Sequence, residues 1–255
     1  MDIHKFINVI RKKWWFFSLM MVIGGIFALV FSTLRPHVYE ATAKFNVSID
    51  YTQTGALTDI QEDQVMRNIG YILESDKVME GTFEKTKEIN CVLSRKDLDN
   101  QTYLDRRDAS WFLRVRSEDP QCAMNIANSW AEEGYALLQE GLYHAQIVDA
   151  NNRLLLNLKS CLTDFESSNL SNNYPCGFSG YDEIEDQIVT IGSIIKNEKQ
   201  LSEGLMPALT IDLINKAVLP TTAVQNNRNL LVFSGLAAGF FSSLFVLLIR
   251  TDNSD

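Results

Sequence analysis

The sequence lacks the signatures of the common catalytic sites. It contains no G-x-x-x-x-G-K-[ST], no G-x-G-x-x-G, no H-E-x-x-H and no G-x-S-x-G. Histidine occurs only 3 times, and the 4 cysteines include no C-x-x-C pair and match no zinc-binding spacing. We therefore expect no catalytic residue, no cofactor and no metal ion.

A cluster of acidic residues and a single histidine could still be considered as catalytic or ligand-binding residues. Glu183, Glu185 and Asp186 are paired acids of the kind used in general acid–base catalysis, but acidic residues at the start of a helix are typical partners of its N-terminal dipole. His144 stands alone in the middle of a predicted helix. We interpret it as a surface or packing residue rather than a ligand.

Positive charge is also scarce. The chain has 23 lysines and arginines against 32 aspartates and glutamates, a formal net charge of −9. Residues 35–229 alone hold 18 basic and 29 acidic side chains. Because binding of nucleic acid needs a basic patch, this balance disfavours a nucleic-acid partner and indicates a solvated acidic domain.

Two long uncharged runs stand at the ends of the chain. Residues 14–34 and 230–249 are each long enough to cross a hydrocarbon core of about 30 Å as a helix. A cleaved signal peptide is the alternative for the first run, but its apolar stretch exceeds the usual length and no A-x-A site follows. A buried core helix is the alternative for the second run, which has no polar face beyond three serines. Both runs are predicted to be transmembrane helices.

The flanking charges predict the orientation. Lys5, Arg11, Lys12 and Lys13 precede the first run and Arg250 follows the second. The positive-inside rule then places residues 1–13 and the tail 250–255 in the cytoplasm, and residues 35–229 outside it. The chain is therefore predicted to cross a membrane twice, with an extracytoplasmic central domain.

The start of the central domain alternates with period two. "VYEATAKFNVSI" and, later, "WFLRVRS" at 111–117 are typical of strands, and a loop is predicted at 52–58. Residues 59–89 have helical spacing, and Ser75 is predicted to cap a second helix there. "ALTIDLINKAVLP" at 208–220 predicts a third strand.

The rest of the domain is helical. Asp119 is a predicted N-cap and Pro120 suits the first helical position, and nothing stops this helix before about residue 166. Turn residues fill 167–180, and 181–203 has helical spacing again. The pattern predicts an α+β extracytoplasmic domain with a long helical hairpin at about 119–203, bracketed by two transmembrane helices.

Cysteines and glycines suggest two kinds of contact. Cys91, Cys122, Cys161 and Cys176 all lie in the central domain, where three full pairings are open; Cys161 and Cys176 flank a turn-rich stretch and would staple it, the alternative being free buried thiols. In the second apolar run Gly235 and Gly239 form G-x-x-x-G, for which Gly24 and Gly25 would be the counterpart in the first run. Ordinary membrane glycines are the alternative there.

Several segments resemble the Wzz or chain-length determinant family, the polysaccharide co-polymerases. "SEDPQCAMNIANSWAEEGY" at 117–135 resembles that family's strand-to-helix segment, with Asp119-Pro120 followed by Ala127-Asn128. The first strand follows the first apolar run as in the family, and "NKAVLPTTAVQNNRNLLVFSGLAAG" resembles its final segment. That segment is usually richer in proline, whereas only Pro220 is present here.

The resemblance implies a role and partners. Such proteins form homo-oligomeric rings or bells in the bacterial cytoplasmic (inner) membrane, with a periplasmic or extracytoplasmic central domain. They set the modal length of O-antigen, capsule or exopolysaccharide made by a separate polysaccharide polymerase. The growing lipid-linked polysaccharide is a further implied partner. We therefore expect a non-enzymatic regulator of chain length. One alternative is a membrane adaptor that activates a separate cytoplasmic tyrosine kinase, which the short tail argues against; another is a two-span sensor or scaffold unrelated to polysaccharide.

Overall fold

A computed structural model describes residues 14–34, 36–167, 178, 180–224 and 228–252. The chain divides into two compact units. One contains both chain ends, Met1–Val38 and Thr222–Asp255, and the other is Tyr39–Thr221.

The unit that contains the chain ends is built on two apolar helices. Helix α1 (Trp14–Leu34) is long and apolar enough to cross a membrane, while helix α8 (Arg228–Asp252) contains a shorter apolar stretch, Leu230–Val246. Among the residues that the structure describes, only α1 is long and apolar enough to cross a membrane. The second transmembrane helix therefore stays a prediction. The two helices pack together, and the rings of Phe17 and Phe240 lie 5.8 Å apart.

The unit Tyr39–Thr221 contains a four-stranded antiparallel sheet. Its order is β2-β3-β1-β4, and strand β1 pairs with β3 on one side and with β4 on the other. Along β1, residues 41, 43, 45 and 47 are buried and their neighbours are not, which confirms the predicted alternation. The strands are Tyr39–Ile49 (β1), Thr102–Arg107 (β2), Ser110–Ser117 (β3) and Leu209–Asn215 (β4).

Short helices connect the first strands of the sheet. Ser75 caps helix α4 by accepting a hydrogen bond from Val78 N–H, as predicted, and Thr58 and Gln61 form a capping box at the start of α3. The helices are Tyr51–Thr54 (α2), Asp59–Leu73 (α3), Asp76–Glu88 (α4) and Arg95–Gln101 (α5).

The predicted long helix is confirmed. Helix α6 (Pro120–Ser167) has 48 residues, or about 70 Å at the rise of an α-helix. Its first half packs on β1 and β3, and its second half packs against helix α7 (Tyr181–Leu201). Trp130 of α6 is 1% exposed, and its indole N–H donates to the Leu73 carbonyl at 2.7 Å. This hydrogen bond therefore joins helix α6 to helix α3 within the buried core.

Three local predictions need correction. Residues 51–54 form a helical turn capped by Asp50, which overlaps the stretch 52–58 that was predicted as a loop. Strand β4 ends at Asn215 and not at residue 220, because the backbone of Ala217 pairs with a side chain instead of a strand. Helix α5 and strand β2 had no counterpart among the predicted elements. The predicted turn at 167–180 lies almost wholly outside the described residues.

Candidate functional site

The junction between strand β3 and helix α6 is organised by local hydrogen bonds. Asp119 Oδ1 accepts from Gln121 N–H at 2.8 Å, so one of the unpaired donors of the first helical turn is satisfied. Pro120 is the first residue of α6, where its missing N–H removes no hydrogen bond. Ser117 Oγ accepts from Asp119 N–H at 3.3 Å. The Asp-Pro pair therefore sets the point at which the chain turns from strand to helix.

Ala127 and Asn128 contact different parts of the domain. Ala127 is completely buried and belongs to the hydrophobic core of the unit. Asn128 makes a reciprocal pair of bonds with Ala217: its Nδ2 donates to the carbonyl at 3.1 Å, and its Oδ1 accepts from the N–H at 2.8 Å. We call this pair of hydrogen bonds the amide clip. It fixes the segment after β4 against α6, three residues before the half-buried Pro220.

Two more side chains of α6 hold the same part of the chain. Gln139 Nε2 donates to the Ile211 carbonyl at 3.2 Å, and Glu132 pairs with Lys216 at 3.0 Å. Glu132 and Lys216 are about half exposed or more, so their ion pair contributes little free energy. The amide clip and the Gln139 bond are the stronger constraints, because their hydrogen bonds are partly buried whereas the ion pair is exposed.

Glycines lie where helices α1 and α8 come closest. A Cβ added at Gly24 would collide with the Gly235 carbonyl oxygen and lie 3.2 Å from Gly239 Cα; one added at Gly25 would lie 2.9 Å from Leu236 Cδ2. A Cβ at Gly235 would meet Ala28 Cβ, and one at Gly239 would meet the Met20 carbonyl. The backbones approach so closely that only glycine fits at Gly24, Gly235 and Gly239 without a shift.

The helical hairpin has polar contacts in its apolar interface. Ile184 and Ile191 of α7 are buried against α6. His144 of α6, which was predicted to be a surface or packing residue, lies beside Glu198 of α7 with Nδ1 and Oε2 2.5 Å apart. Both side chains are more than four-fifths buried, so His144 packs inside the hairpin. No sequence pattern connected these two residues.

A disulfide that the spacing did not single out closes the start of α6. Cys91, in the turn after α4, is bonded to Cys122 in the first turn of α6, and their Cα atoms are 5.2 Å apart. The predicted pairing of Cys161 with Cys176 stays a prediction, because Cys176 lies outside the described residues. No described cysteine is free.

Three titratable side chains, Glu74, Arg95 and Asp99, line a small cleft together with Met79, Thr102 and Trp130. Among the residues that the structure describes, no group of three histidine, cysteine or acidic side chains is placed to hold a metal ion. Hydrogen bonds from Arg67 and then Arg106 lower the pKa of Asp63, and burial raises the pKa of Glu74. Asp63 pairs with Arg67 and Arg106, and Glu74 is the C-cap residue of α3.

Comparison with known proteins gives structural neighbours. No protein-family model matches the chain, and no curated protein matches it. A full-length bacterial polysaccharide co-polymerase is similar with 9% identity and a TM-score of 0.40, covering 98% of this chain and 98% of that one. A mutant of the Shigella flexneri lipopolysaccharide O-antigen chain-length regulator has 9% identity and a TM-score of 0.19, covering 73% and 100%.

A fragment of WzzB, a polysaccharide co-polymerase from Salmonella Typhimurium, has 13% identity and a TM-score of 0.22, covering 74% of this chain and 100% of that one. The structural neighbours are polysaccharide co-polymerases and O-antigen chain-length regulators.

Proposed function

We propose that this protein is a non-enzymatic regulator of polysaccharide chain length, acting as an oligomeric membrane scaffold beside a polysaccharide polymerase. One observation carries the proposal. The residues that resemble the chain-length determinant family, Asp119-Pro120 and Ala127-Asn128, are the ones that start the long helix, pack it into the core and hold the segment after β4 against it. The resemblance therefore falls on residues with a definite structural task.

The proposed topology is two-pass, with both termini in the cytoplasm. Helix α1 meets the length and composition of a span, and basic residues at 11–13 precede it. The Cys91–Cys122 disulfide supports an extracytoplasmic location for Tyr39–Thr221, since disulfides persist in oxidising compartments. The second span would use α8, whose glycines pack against α1.

A scaffold of this kind can control a polymer without a reaction of its own. It would hold the polymerase and the growing lipid-linked chain in a fixed arrangement, so that the length of the product depends on the assembly. Apolar side chains that the hairpin leaves exposed support self-association: Leu156 and Val189 are each 66% exposed. The polymer would be O-antigen, capsule or exopolysaccharide, and nucleic acid is not a proposed partner.

The test is the size distribution of surface polysaccharide, resolved on a gel, from cells with and without the gene. We expect deletion to replace a modal cluster with a broad distribution weighted toward short chains. Complementation with Asn128→Ala should restore the modal cluster poorly, while Gly192→Ala, an added methyl in open space on α7, should restore it fully. An unchanged distribution in deleted cells that still make polymer would refute the proposed function.

A further inference from the structure

The sheet of the central unit leaves one face open. Because side chains alternate along a strand, the buried residues of β1 and β3 turn toward α6, and their neighbours turn the other way. Paired residues in the register, Lys44 with Phe112 and Phe112 with Asp105, share this open face. Antiparallel sheets of this kind often have one solvated side.

Four cations are concentrated on the open face. Arg114 and Arg116 bind Glu40 and Asp105, at 2.8 Å for the Arg116–Glu40 and Arg114–Asp105 pairs. Lys44 and Arg107 lie over the Phe112 ring, each 5.5 Å from its centre, and Lys44 has no carboxylate partner among the described residues. We call Lys44, Arg107, Arg114 and Arg116 the basic face. Strands β1, β2 and β3 place two carboxylates, Glu40 and Asp105, among these four positive charges. A third carboxylate, Asp212, lies on the edge strand β4.

The helical side of the same unit has the opposite charge. Three carboxylates surround the single guanidinium of Arg95: Asp99 at 3.0 Å, Glu80 at 3.3 Å and Asp76 at 3.4 Å. All three side chains are at least half exposed, and that of Asp76 is fully exposed. We call Asp76, Glu80 and Asp99 the acidic patch. One cation for three anions leaves it with an excess of negative charge.

The two surfaces face different sides of the unit. Helix α4, which carries Asp76 and Glu80, packs on α6, and α6 packs on the buried face of the sheet. The acidic patch is thus on the helical side, and the basic face is on the bare side. A molecule with complementary charge on two sides can associate with its own copies in series.

We propose that copies of this chain associate head to tail, with the basic face of one copy against the acidic patch of the next. The inference rests on the proposed function for the existence of an assembly and adds the surfaces that build it. Such a contact is heterologous: each copy uses one surface and offers the other, so the series closes into a ring when the rotation permits. Exposed charges of this kind fix register and partner choice more than affinity. Association therefore depends on salt.

The experiment is charge reversal with rescue, on the full-length chain in detergent micelles. The basic-face variant is Lys44→Glu with Arg107→Glu, the acidic-patch variant is Glu80→Lys with Asp99→Lys, and a third chain combines them. The control is Lys159→Glu with Lys196→Glu, the same change of charge at exposed positions of the hairpin. Assembly mass is measured by mass photometry at about 0.05 M and about 0.5 M salt, which spans strong and weak screening.

We expect each single-surface variant to associate about tenfold or more weakly, a loss typical of reversed charge pairs. The combined chain should regain association, and the control should match the parent, whose assembly should shrink at high salt. Loss without rescue in the combined chain would overturn the proposal, as would a parent that stays monomeric. If the basic-face variant keeps its mass but loses retention on a polyuronate column, the basic face binds acidic polysaccharide instead. If the charge-reversal variants change the assembly mass but leave the size distribution of the polysaccharide normal, the proposed function is contradicted and the contact between copies is not.

Discussion

The amide clip gives a prediction whose size follows from the structure. Asn128→Ala removes both hydrogen bonds to Ala217, the one at 3.1 Å and the one at 2.8 Å. Ala217 is 5% exposed, so water reaches its N–H and C=O poorly. The substitution therefore leaves a buried donor and a buried acceptor without partners.

The free-energy cost has two parts. Each lost hydrogen bond is worth about 1 kcal/mol net, and leaving a buried polar group unpaired raises the cost of removing one partner, so the total is about 2–3 kcal/mol. This energy belongs to the local attachment of the segment after β4. It corresponds to an about 30- to 150-fold larger population of the locally open state of that segment, since about 1.4 kcal/mol is a factor of ten.

Hydrogen–deuterium exchange of the full-length chain measures this opening directly. Peptides covering residues 213–220 should exchange faster in Asn128→Ala, while peptides from β1 should not change. Asn151→Ala is the matched control, because Asn151 Nδ2 donates to the Ile147 carbonyl of its own helix and to no other residue that the structure describes. Equal exchange of residues 213–220 in the parent and in Asn128→Ala would refute the claim that the clip holds this segment.

Three further predictions concern stability. Replacing Cys91 and Cys122 with serine should lower the free energy of unfolding by about 3–4 kcal/mol for a separation of 31 residues, measured by urea titration; a parent equally stable when reduced would contradict this. Gly24→Ala should lower the melting temperature in detergent through its collision with α8, whereas Gly192→Ala should stabilise the chain by about 0.5–1 kcal/mol. Burial raises the pKa of Glu74 above 4.5, so its contribution to folding stability is fully present below that pH and is lost as pH rises through the folded pKa. Glu74→Gln should therefore be more stable than the parent at pH 7. If the stability difference between the two proteins does not narrow toward pH 4, burial of the charged carboxylate is not its cause.

The fold was predictable where a local pattern repeats. Alternation over β1 and β3, the caps at Ser75 and Asp119, and Pro120 at the first helical position identified the elements that build the sheet and its long helix. Strand β2 was missed because it is an edge strand with no buried residue, so its "TYLDRR" carries no apolar period. The start of α5 could have been predicted from the Ser94-x-x-Asp97 pattern, which is typical of a helix N-cap. In the structure Ser94 accepts a hydrogen bond from the N–H of Asp97.

The contacts of the candidate site depend on residues far apart in the chain. Cys91 and Cys122 are 31 positions apart, and Asn128 and Ala217 are 89 positions apart. Four cysteines allow three full pairings, and spacing does not choose among them. The β4 alternation runs on to Pro220 in the sequence, but the backbone of Ala217 is engaged by an amide and leaves the sheet. No periodicity carries that information.

Ala127 and Asn128 show why the family-like segment has two adjacent residues of different chemistry. Neighbouring positions on a helix point about 100° apart, so Ala127 points into the buried core while Asn128 faces the segment after β4. Ala127 adds a small apolar side chain to that core, and the amide at Asn128 supplies both a donor and an acceptor for one peptide group. Replacing the pair by two alanines would keep the buried methyl group and lose the clip. Two consecutive positions thus contribute to the core packing of the long helix and to the path of the chain after β4.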